Sequence, residues 1–534
     1  MLLIQEIAER LALSPDQYET VGAYGAKLKL ELLDDAVLTP RGKFILVTAT
    51  TPTTHGEGKT VVSIGLAQAL ERLGHRSIVT LREPSLGPVF GVKGGAAGGG
   101  RSQVEPSAKI NLHFHGDFHA ITSAHNLLAA MIDSHLFHGN ALEIDPAQIT
   151  WPRALDMNDR ALRHIAVSLD SKRDGAGRQS SFVITAASEI MAILALVAGR
   201  ADLRRRLDAI VIGVSRSGRP VTAGNLGATG AMMALLSDAL LPNLVQTTEG
   251  TPALIHTGPF ANIAHGTCSV LSHQIAVRLA DFVVNEAGFA SDLGAEKYFD
   301  IVHRVSGIRP AAAVLVTSVQ SMRAQGEGSL EAGYPNLAHH IRNLRGFGVP
   351  VVVSINRFPS DHVDELNGIA AECRRRGVGC AFVEAYAQGG AGATDLAEEV
   401  ISAIETSRAP RIQFAYELED SPEEKIRKIA TKVYGASRIA LSDAAGAHLA
   451  RFVEWGFGGL PVCIAKTQYS LTDDPKRMGA PSCWTLNISD VLLSAGAGFL
   501  VAVAGNMMLM PGLPHDPRAL AIDVDAEGKI VGVA

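Results

Sequence analysis

The residues best suited to chemistry form the segment Thr51-Pro52-Thr53-Thr54-His55-Gly56-Glu57-Gly58-Lys59-Thr60. Its end resembles a phosphate-binding loop, although Thr53 stands where the full pattern has glycine. Glycines let backbone N–H groups close around phosphate oxygens at the start of a helix. Lys59 would add a positive charge for the terminal phosphates, and Thr60 a hydroxyl ligand for Mg²⁺. The alternative is an ordinary glycine-rich turn between a strand and a helix.

A second basic group follows the next strand, in the segment Arg82-Glu83-Pro84-Ser85-Leu86-Gly87-Pro88, and a glycine-rich tract covers residues 93–100. Residues just beyond the carboxyl ends of parallel strands face the ligand crevice, so we expect Arg82 to face the contents of the loop. Its planar guanidinium suits a phosphate or an acyl phosphate. The alternative is a surface salt bridge between Arg82 and Glu83 or another acid nearby.

Six of the 18 histidines cluster at positions 113, 115, 119, 125, 135 and 138. Their spacing would allow a metal site, but no cysteine is near and Asp117 and Asp133 are the only acids. Residues 111–115 alternate in the manner of a strand. We favour hydrogen-bonded or substrate-facing histidines over metal ligands.

Glu286 ends an apolar run, Val283-Val284-Asn285-Glu286, and is followed by Ala287 and Gly288. Nucleotide-binding sheets often place a carboxylate at a strand end to coordinate metal or orient water. An acid exposed to solvent at a strand end is an equally good interpretation of this feature.

These candidate groups need a scaffold, and the pattern around them is strand, helix, strand. Residues 44–49 and 77–81 read as strands that flank a helix over 59–73, closed by Gly74. Further short β-branched runs occur at 209–212, 282–284, 313–316 and 351–355. Nearly continuous apolar strands separated by helices predict an α/β fold with a buried parallel sheet.

Composition limits the possible functional classes and the cellular compartment. The 534 residues are 47% hydrophobic but only 5% aromatic, and the net charge of −6 argues against binding to nucleic acid. Five cysteines without a CxxC pair and an N-terminus without a signal peptide favour a reducing cytoplasm. The uncharged stretch 491–514 is interrupted by glycines and prolines, so we expect a strand near 499–503 and no membrane span.

Taken together, these segments resemble formate–tetrahydrofolate ligase, from about Gly22 to the C-terminus. The resemblance rests on long strings at 81–88, 93–100, 110–114, 124–131, 156–160, 258–266, 292–297, 465–470 and 510–514. It implies a large P-loop-type parallel-sheet nucleotide-binding domain with two smaller α/β domains. From loop composition we place these at residues 1–325 (ATP and formyl phosphate), 326–410 (acceptor) and 411–534 (C-terminal).

The family makes formyl phosphate from formate and ATP and passes the formyl group to N10 of tetrahydrofolate. By resemblance, Lys59 and Thr60 would hold ATP and Mg²⁺, Arg82 and Glu83 would orient formyl phosphate, and Asp117 would assist deprotonation of the amine. The resemblance also implies a homotetramer and activation by a monovalent cation. The residues expected to contact ATP are Thr53, Thr54, His55, Gly56, Glu57, Gly58, Lys59 and Thr60.

The segment that binds the acceptor departs from the family pattern. The family stacks the pterin ring between a Phe, matched by Phe358 beside Pro359, and a Trp, for which this chain has Tyr386. Two departures lie elsewhere in the chain: Asn225 stands where the family usually has Asp, and Val61 stands where it has a second Thr after Gly-Lys-Thr. A smaller stacking surface leaves open a different amine acceptor, such as a phosphoribosylamine-type metabolite. A third hypothesis is a P-loop regulatory ATPase without ligase activity.

Overall fold

The computed structural model describes residues 1–53, 56–92, 95–170, 173–407, 411–505 and 507–533. A large sheet organises the first 383 residues. Its strands are β1 (Tyr18–Val21), β2 (Gly25–Leu28), β3 (Lys43–Ala49), β4 (Ser77–Leu81), β5 (Gly98–Gly99), β6 (Ser102–Glu105), β7 (Asn243–Thr247), β8 (Pro252–Ile255), β9 (Phe282–Glu286), β10 (Pro310–Thr317), β11 (Val351–Asn356) and β12 (Gly379–Val383).

The strand order across this sheet is β1-β2-β7-β8-β4-β9-β3-β10-β11-β12, and β6 joins it at β7 and also pairs with β5. The seven strands from β8 to β12 in this order run parallel. Their carboxyl ends therefore line one edge of the sheet, where ligands of open α/β sheets bind.

The central strand β3 shows why this sheet is buried on both faces. Phe44 and Leu46 belong to one apolar cluster, and Ile45 and Val47 belong to the other. Successive side chains point to opposite faces, so a continuous apolar strand needs a helical layer on each side. The α/β fold class predicted from the sequence is confirmed.

The main helices of this part are α1 (Lys59–Arg72), α2 (Asp117–Phe137), α3 (Val270–Leu279), α4 (Val319–Gln325), α5 (Leu330–Gly346), α6 (Val363–Arg375) and α7 (Thr394–Thr406). The α1 and α7 helices pack on one face of the sheet, whereas α3 and α5 pack on the other. The other α-helices of this part are Ile4–Arg10, Leu86–Phe90, Ser107–Asn111, Glu189–Leu196, Arg200–Asp208, Ala223–Leu226, Thr229–Leu235, His303–Ser306 and Ala385–Gln388.

Two local predictions are wrong. The strand expected at 209–212 is Val211–Ser215, and it lies in a separate antiparallel sheet between Ile144–Ile149 and Pro220–Thr222. A tight turn closed by the Ser215 N–H donating to the Arg219 carbonyl (2.8 Å) makes it a hairpin strand instead of a parallel one.

Residues 111–115 do not form a strand. The helix Ser107–Asn111 ends there and a turn follows, closed by the Phe114 N–H donating to the Lys109 carbonyl (2.8 Å). Local hydrogen bonding outweighs the alternating pattern, which spans only five residues.

The C-terminal part has its own sheet of four strands, β13 (Arg438–Leu441), β14 (Val462–Ala465), β15 (Thr485–Ser494) and β16 (Phe499–Ala504), in the order β13-β15-β16-β14. The helices Pro422–Ile429 and Asp443–Glu454 accompany it. By contrast, β11 and β12, which fall within the predicted acceptor domain (326–410), extend the large sheet. The three-domain division stays a prediction. No helix in the described ranges is long and apolar enough to cross a membrane.

A buried ion pair ties the C-terminal sheet to the large one. The Lys466 ammonium follows β14 and lies 2.8 Å from the Asp292 carboxylate, with 0% and 3% of the two side chains exposed. Burial by itself would raise the pKa of Asp292, but the charge and hydrogen bond of Lys466, together with the nearby histidines His340 and His339, outweigh burial and lower that pKa. Removing one partner of such a pair leaves an uncompensated buried charge.

We therefore expect Lys466→Met to lower the free energy of unfolding by about 3–5 kcal/mol. The double variant Lys466→Met/Asp292→Asn should regain at least half of that loss, because it removes the orphaned charge. Thermal and urea unfolding midpoints measure both effects. The control is Arg205→Met, which breaks the exposed pair with Asp202 and should change little. Equal effects of Lys466→Met and Arg205→Met would contradict the prediction.

Candidate active site

The candidate functional residues lie along the carboxyl edge of the parallel strands. Reading across the sheet from β8, the residues that follow or end successive strands are Thr257, Arg82, Glu286, the loop leading to Lys59, Ser318, Phe358 and Tyr386. Lys59 and Tyr386, 327 positions apart in the chain, therefore share one crevice. The phosphate loop, after β3, occupies its middle.

The phosphate loop is shaped by close contact with the end of β11. Thr54 and His55 lie outside the described residues. Gly58 has a φ of +71°, and a Cβ built there would lie 2.3 Å from the Asn356 side-chain nitrogen. That nitrogen donates to the Glu57 carbonyl (3.0 Å). Only glycine satisfies both the backbone conformation and the space at position 58.

The Glu57 side chain turns into the protein. Its carboxylate accepts hydrogen bonds from the Thr53 N–H (2.8 Å) and the Ser318 hydroxyl (2.6 Å), and the residue is 5% exposed. Glu57 therefore braces the loop against the end of β10. The α1 helix begins at Lys59, so Lys59 and Thr60 lie in its first turn, where backbone N–H groups favour an anion.

Two cations flank one carboxylate at the centre of the crevice. The Lys59 ammonium and the Arg82 guanidinium lie 3.7 and 3.8 Å from the same Glu286 oxygen. Lys59 also donates to the Ala287 carbonyl (2.6 Å), and Arg82 donates to the Pro259 carbonyl (3.0 Å). The salt-bridge partner of Arg82 is thus Glu286 and not Glu83. Burial lowers the pKa of Arg82, and the Glu286 charge opposes that effect.

The backbone around these cations is tightly packed. A Cβ on Gly288 would lie 2.5 Å from the Ala261 Cβ and 3.0 Å from the Arg82 guanidinium. Phe289 has a φ of +57°, and its carbonyl accepts from Lys59 (3.3 Å). Non-glycine residues hold such a conformation only where the surroundings enforce it, which is common at functional sites.

Glu83 lies in a buried charged cluster next to Arg82. One of its carboxylate oxygens is fully buried without a hydrogen-bond partner, and its N–H donates to the Thr257 carbonyl (2.6 Å). Burial raises the pKa of Glu83 well above its usual value, and the Asp117 carboxylate raises it further, while Lys27 opposes the rise. The surroundings of Glu83 therefore favour its protonated form.

Asp117 begins helix α2 and is fully engaged by its neighbours. Its two oxygens take the Lys27 ammonium (2.6 Å) and the Asn243 side-chain amide (2.8 Å), and both ion-pair side chains are nearly inaccessible. The Asn243 oxygen in turn accepts from His115 Nδ1 (2.7 Å). This network holds the Asp117 carboxylate in one position near Glu83.

Histidines of the cluster form hydrogen bonds with neighbouring side chains and backbone groups. His125 pairs with the Ser188 hydroxyl (2.8 Å) and the Pro152 carbonyl (3.0 Å). Burial lowers its pKa to about 4, so it is neutral. Within the described part of the chain, no group of three or more His, Cys, Asp or Glu side chains is arranged to hold a metal ion.

The predicted acceptor residues follow neighbouring strands, β11 and β12. The Phe358 N–H donates to the Asp361 carboxylate (2.8 Å), and an Arg357–Glu384 ion pair (2.8 Å) links the two strand ends. Pro359 is exposed, and Tyr386 is 63% exposed. The Tyr386 carbonyl accepts from the Arg101 N–H (2.8 Å), which places the tyrosine beside the glycine-rich tract.

The two other departures from the family pattern have local roles. Asn225 accepts from the Thr222 N–H (2.9 Å) at the start of a short helix, and Val61 packs against the core under the sheet. Neither side chain contacts the Lys59–Arg82–Glu286 cluster through any described hydrogen bond or ion pair.

Four positioning residues were not singled out from the sequence, namely Lys27, Asp156, Ser318 and Asn356. Asp156 accepts from the Ser85 hydroxyl (2.6 Å) and the Leu86 N–H (2.9 Å), which orients the segment after Arg82. Burial raises its pKa to about 6. The sequence does contain a signal for two of them, because Ser318 and Asn356 come at the ends of predicted strands.

The arrangement can hold a chain of phosphates in the loop and stabilise negative charge that develops between Lys59 and Arg82. Comparison with known proteins agrees with this chemistry. A family model described as formate–tetrahydrofolate ligase matches residues 1–534. A formate–tetrahydrofolate ligase of Symbiobacterium thermophilum is 50% identical over 542 aligned positions, which cover 99% of this chain and 97% of that protein. The chain belongs to the formate–tetrahydrofolate ligase family.

Proposed function

We propose that the crevice carries out the ATP-dependent formylation of tetrahydrofolate through formyl phosphate. The chain is an ATP-dependent ligase that forms a carbon–nitrogen bond. The observation that best supports the route is the pair of cations, Lys59 and Arg82, on either side of Glu286 beside the phosphate loop. Family membership supports neither a different amine acceptor nor a regulatory ATPase.

In the first step, a formate oxygen attacks the γ-phosphorus of ATP and the bond to ADP breaks. The first turn of α1 and Lys59 bind the phosphates, and Arg82 neutralises the charge that develops on the transferred group. Protonated Glu83 donates a hydrogen bond to formyl phosphate. Gly56, Gly58 and Thr53 supply loop backbone to the nucleotide, and Glu57 keeps the loop in shape.

Mg²⁺ fits the oxygen groups that the loop offers. The Thr60 hydroxyl and the Glu286 carboxylate are hard oxygen ligands, the type that Mg²⁺ takes alongside phosphates. Bound there with ATP, the ion would neutralise charge on the phosphate oxygens.

In the second step, N10 of tetrahydrofolate attacks the formyl carbon and the carbon–oxygen bond to phosphate breaks. Phe358, Pro359 and Tyr386 hold the pterin ring at the ends of β11 and β12. The amine proton passes to the departing phosphate as the bond forms. Asp117 assists this transfer by setting the charge around Glu83, since both of its own oxygens are engaged.

Several further features belong to this proposal. Of the proposed domains 1–325, 326–410 and 411–534, the last agrees with the separate C-terminal sheet, whereas the strands of 326–410 extend the large sheet. Five free cysteines agree with a cytoplasmic location. A homotetramer, activation by a monovalent cation and substrates limited to small molecules rest on family resemblance.

The reaction is tested by incubating the protein with ATP, Mg²⁺, formate and tetrahydrofolate. We expect 10-formyltetrahydrofolate and ADP in equal amounts, with neither formed without formate. ADP formed at the same rate without formate would instead indicate an ATPase. ADP formed with formate and another amine, but not with tetrahydrofolate, would indicate a different acceptor.

Arg82→Lys should lower turnover about 100-fold, because lysine keeps the charge but loses the planar fork that matches phosphate oxygens. Formate-dependent ADP release measures the effect. The control is Arg72→Lys. Arg72 is the last residue of α1, whereas Lys59 is the first, and it pairs with Glu249 on the surface. Turnover of this variant should be unchanged. Equal turnover of the two variants would contradict the role of Arg82.

Tyr386→Ala should raise the KM for tetrahydrofolate about 3- to 10-fold, the loss expected for one stacked ring. The KM for formate should stay the same. Phe382→Ala is the control, because Phe382 is also an exposed aromatic residue (41% exposed) and lies on β12, the strand that precedes Tyr386. An unchanged KM for tetrahydrofolate in Tyr386→Ala would show that Tyr386 does not bind the acceptor.

A further inference from the structure

A cavity of about 900 Å³ opens beside the phosphate loop, and of its lining residues only Thr53 has a role in the proposed reaction. Its size is within the range of about 300–1,000 Å³ common for sites that bind small molecules. Three parts of the chain form its walls: the start of the loop, helix α4 and the segment 469–478 of the C-terminal part. The lining residues are Pro52, Thr53, Gln320, Arg323, Ala324, Gln325, Tyr469, Pro475 and Met478.

Buried amide groups fasten the cavity walls to one another. The Asn336 side-chain nitrogen donates to the Thr51 hydroxyl (3.0 Å) and to the Gly479 carbonyl (2.9 Å). The Gly479 N–H donates to the Gln325 side-chain oxygen (3.0 Å). Asn336 and Gln325 are 0% and 3% exposed. The cavity therefore has a defined position relative to the phosphate loop.

The Tyr469 segment is held by the buried Lys466. The Lys466 ammonium donates to the Ser470 carbonyl (2.6 Å) and pairs with Asp292 in the large domain. Lys466 thus anchors the residues on either side of Tyr469 and holds the tyrosine in the cavity wall. The wall thus presents aromatic and apolar surface from Tyr469, Pro475 and Met478.

The part of the wall that α4 forms carries a cation. The Arg323 guanidinium lies 2.5 Å from the Glu365 carboxylate, and 52% of its side chain is exposed. Gln320 lies one turn before it on α4. Apolar surface combined with a guanidinium and amide groups suits an aromatic ring that carries an amide and a carboxylate.

We infer that this cavity binds the p-aminobenzoyl-glutamate part of the folate acceptor, with Arg323 as the residue that recognises its carboxylates. The inference rests on the proposed function. N10, the nitrogen to be formylated, must lie at the phosphate loop, and it is bonded directly to the p-aminobenzoyl ring. Phe358 follows β11, and α4 follows the adjacent strand β10, so the cavity lies next to the proposed pterin position.

Arg323→Gln tests this assignment with two acceptors, tetrahydrofolate and tetrahydropteroate, which lacks the glutamate. The variant should raise the KM for tetrahydrofolate about 10-fold, the effect of losing one charge-assisted contact. Its KM values for ATP and formate, and its KM for tetrahydropteroate, should match those of the wild type. The wild-type protein should itself bind tetrahydropteroate more weakly than tetrahydrofolate.

The matched control is Arg427→Gln. Arg427 also pairs with a glutamate, Glu424, and is 50% exposed, but it is not among the residues that line the cavity. It should leave every KM unchanged. An unchanged KM for tetrahydrofolate in Arg323→Gln, an equal rise with tetrahydropteroate, or a rise confined to ATP would each overturn the inference. If the wild type formylates neither acceptor, the proposed function fails instead.

Discussion

The site depends on one carboxylate that holds two cations together in a largely buried crevice. Lys59 comes from the phosphate loop after β3, and Arg82 follows β4, so the two lie on separate chain segments. Like charges repel strongly where water is scarce, and Glu286 on the strand between them compensates both. The strand order β4-β9-β3 is what places Glu286 there. An arriving phosphate then meets a preorganised pair of positive charges.

The rest of the molecule keeps this arrangement rigid. Asn356 and Ser318, at the ends of β11 and β10, brace the loop from the side away from Glu286. On the other flank, Lys27 and Asp117 form a buried pair next to Glu83, whose pKa is raised by burial and by the Asp117 charge. The Lys466–Asp292 pair joins the C-terminal part to the same framework. Charged groups far from the phosphates thus contribute by fixing positions.

The sequence predicted the parallel sheet and the phosphate loop because both are local patterns. Residues 44–49 form a continuous apolar run and the loop ends in Gly-Lys-Thr, so neighbours along the chain suffice. Lys27 and Asn356 escaped prediction because their roles come from partners 90 and 299 positions away. The strand at 209–212 was misplaced for a similar reason, since its apolar residues do not reveal the hairpin turn that follows. The roles of the site residues in catalysis stay predictions.

The central claim is that formate itself attacks the γ-phosphorus between Lys59 and Arg82. Formate labelled with ¹⁸O tests this directly when turnover proceeds with ATP and tetrahydrofolate and the released phosphate is analysed by mass. Attack by formate leaves one formate oxygen in the phosphate, because the later step breaks the bond between that oxygen and the formyl carbon. The account predicts one ¹⁸O atom in each phosphate formed. Phosphate without label would show that water attacks ATP, and would contradict the account.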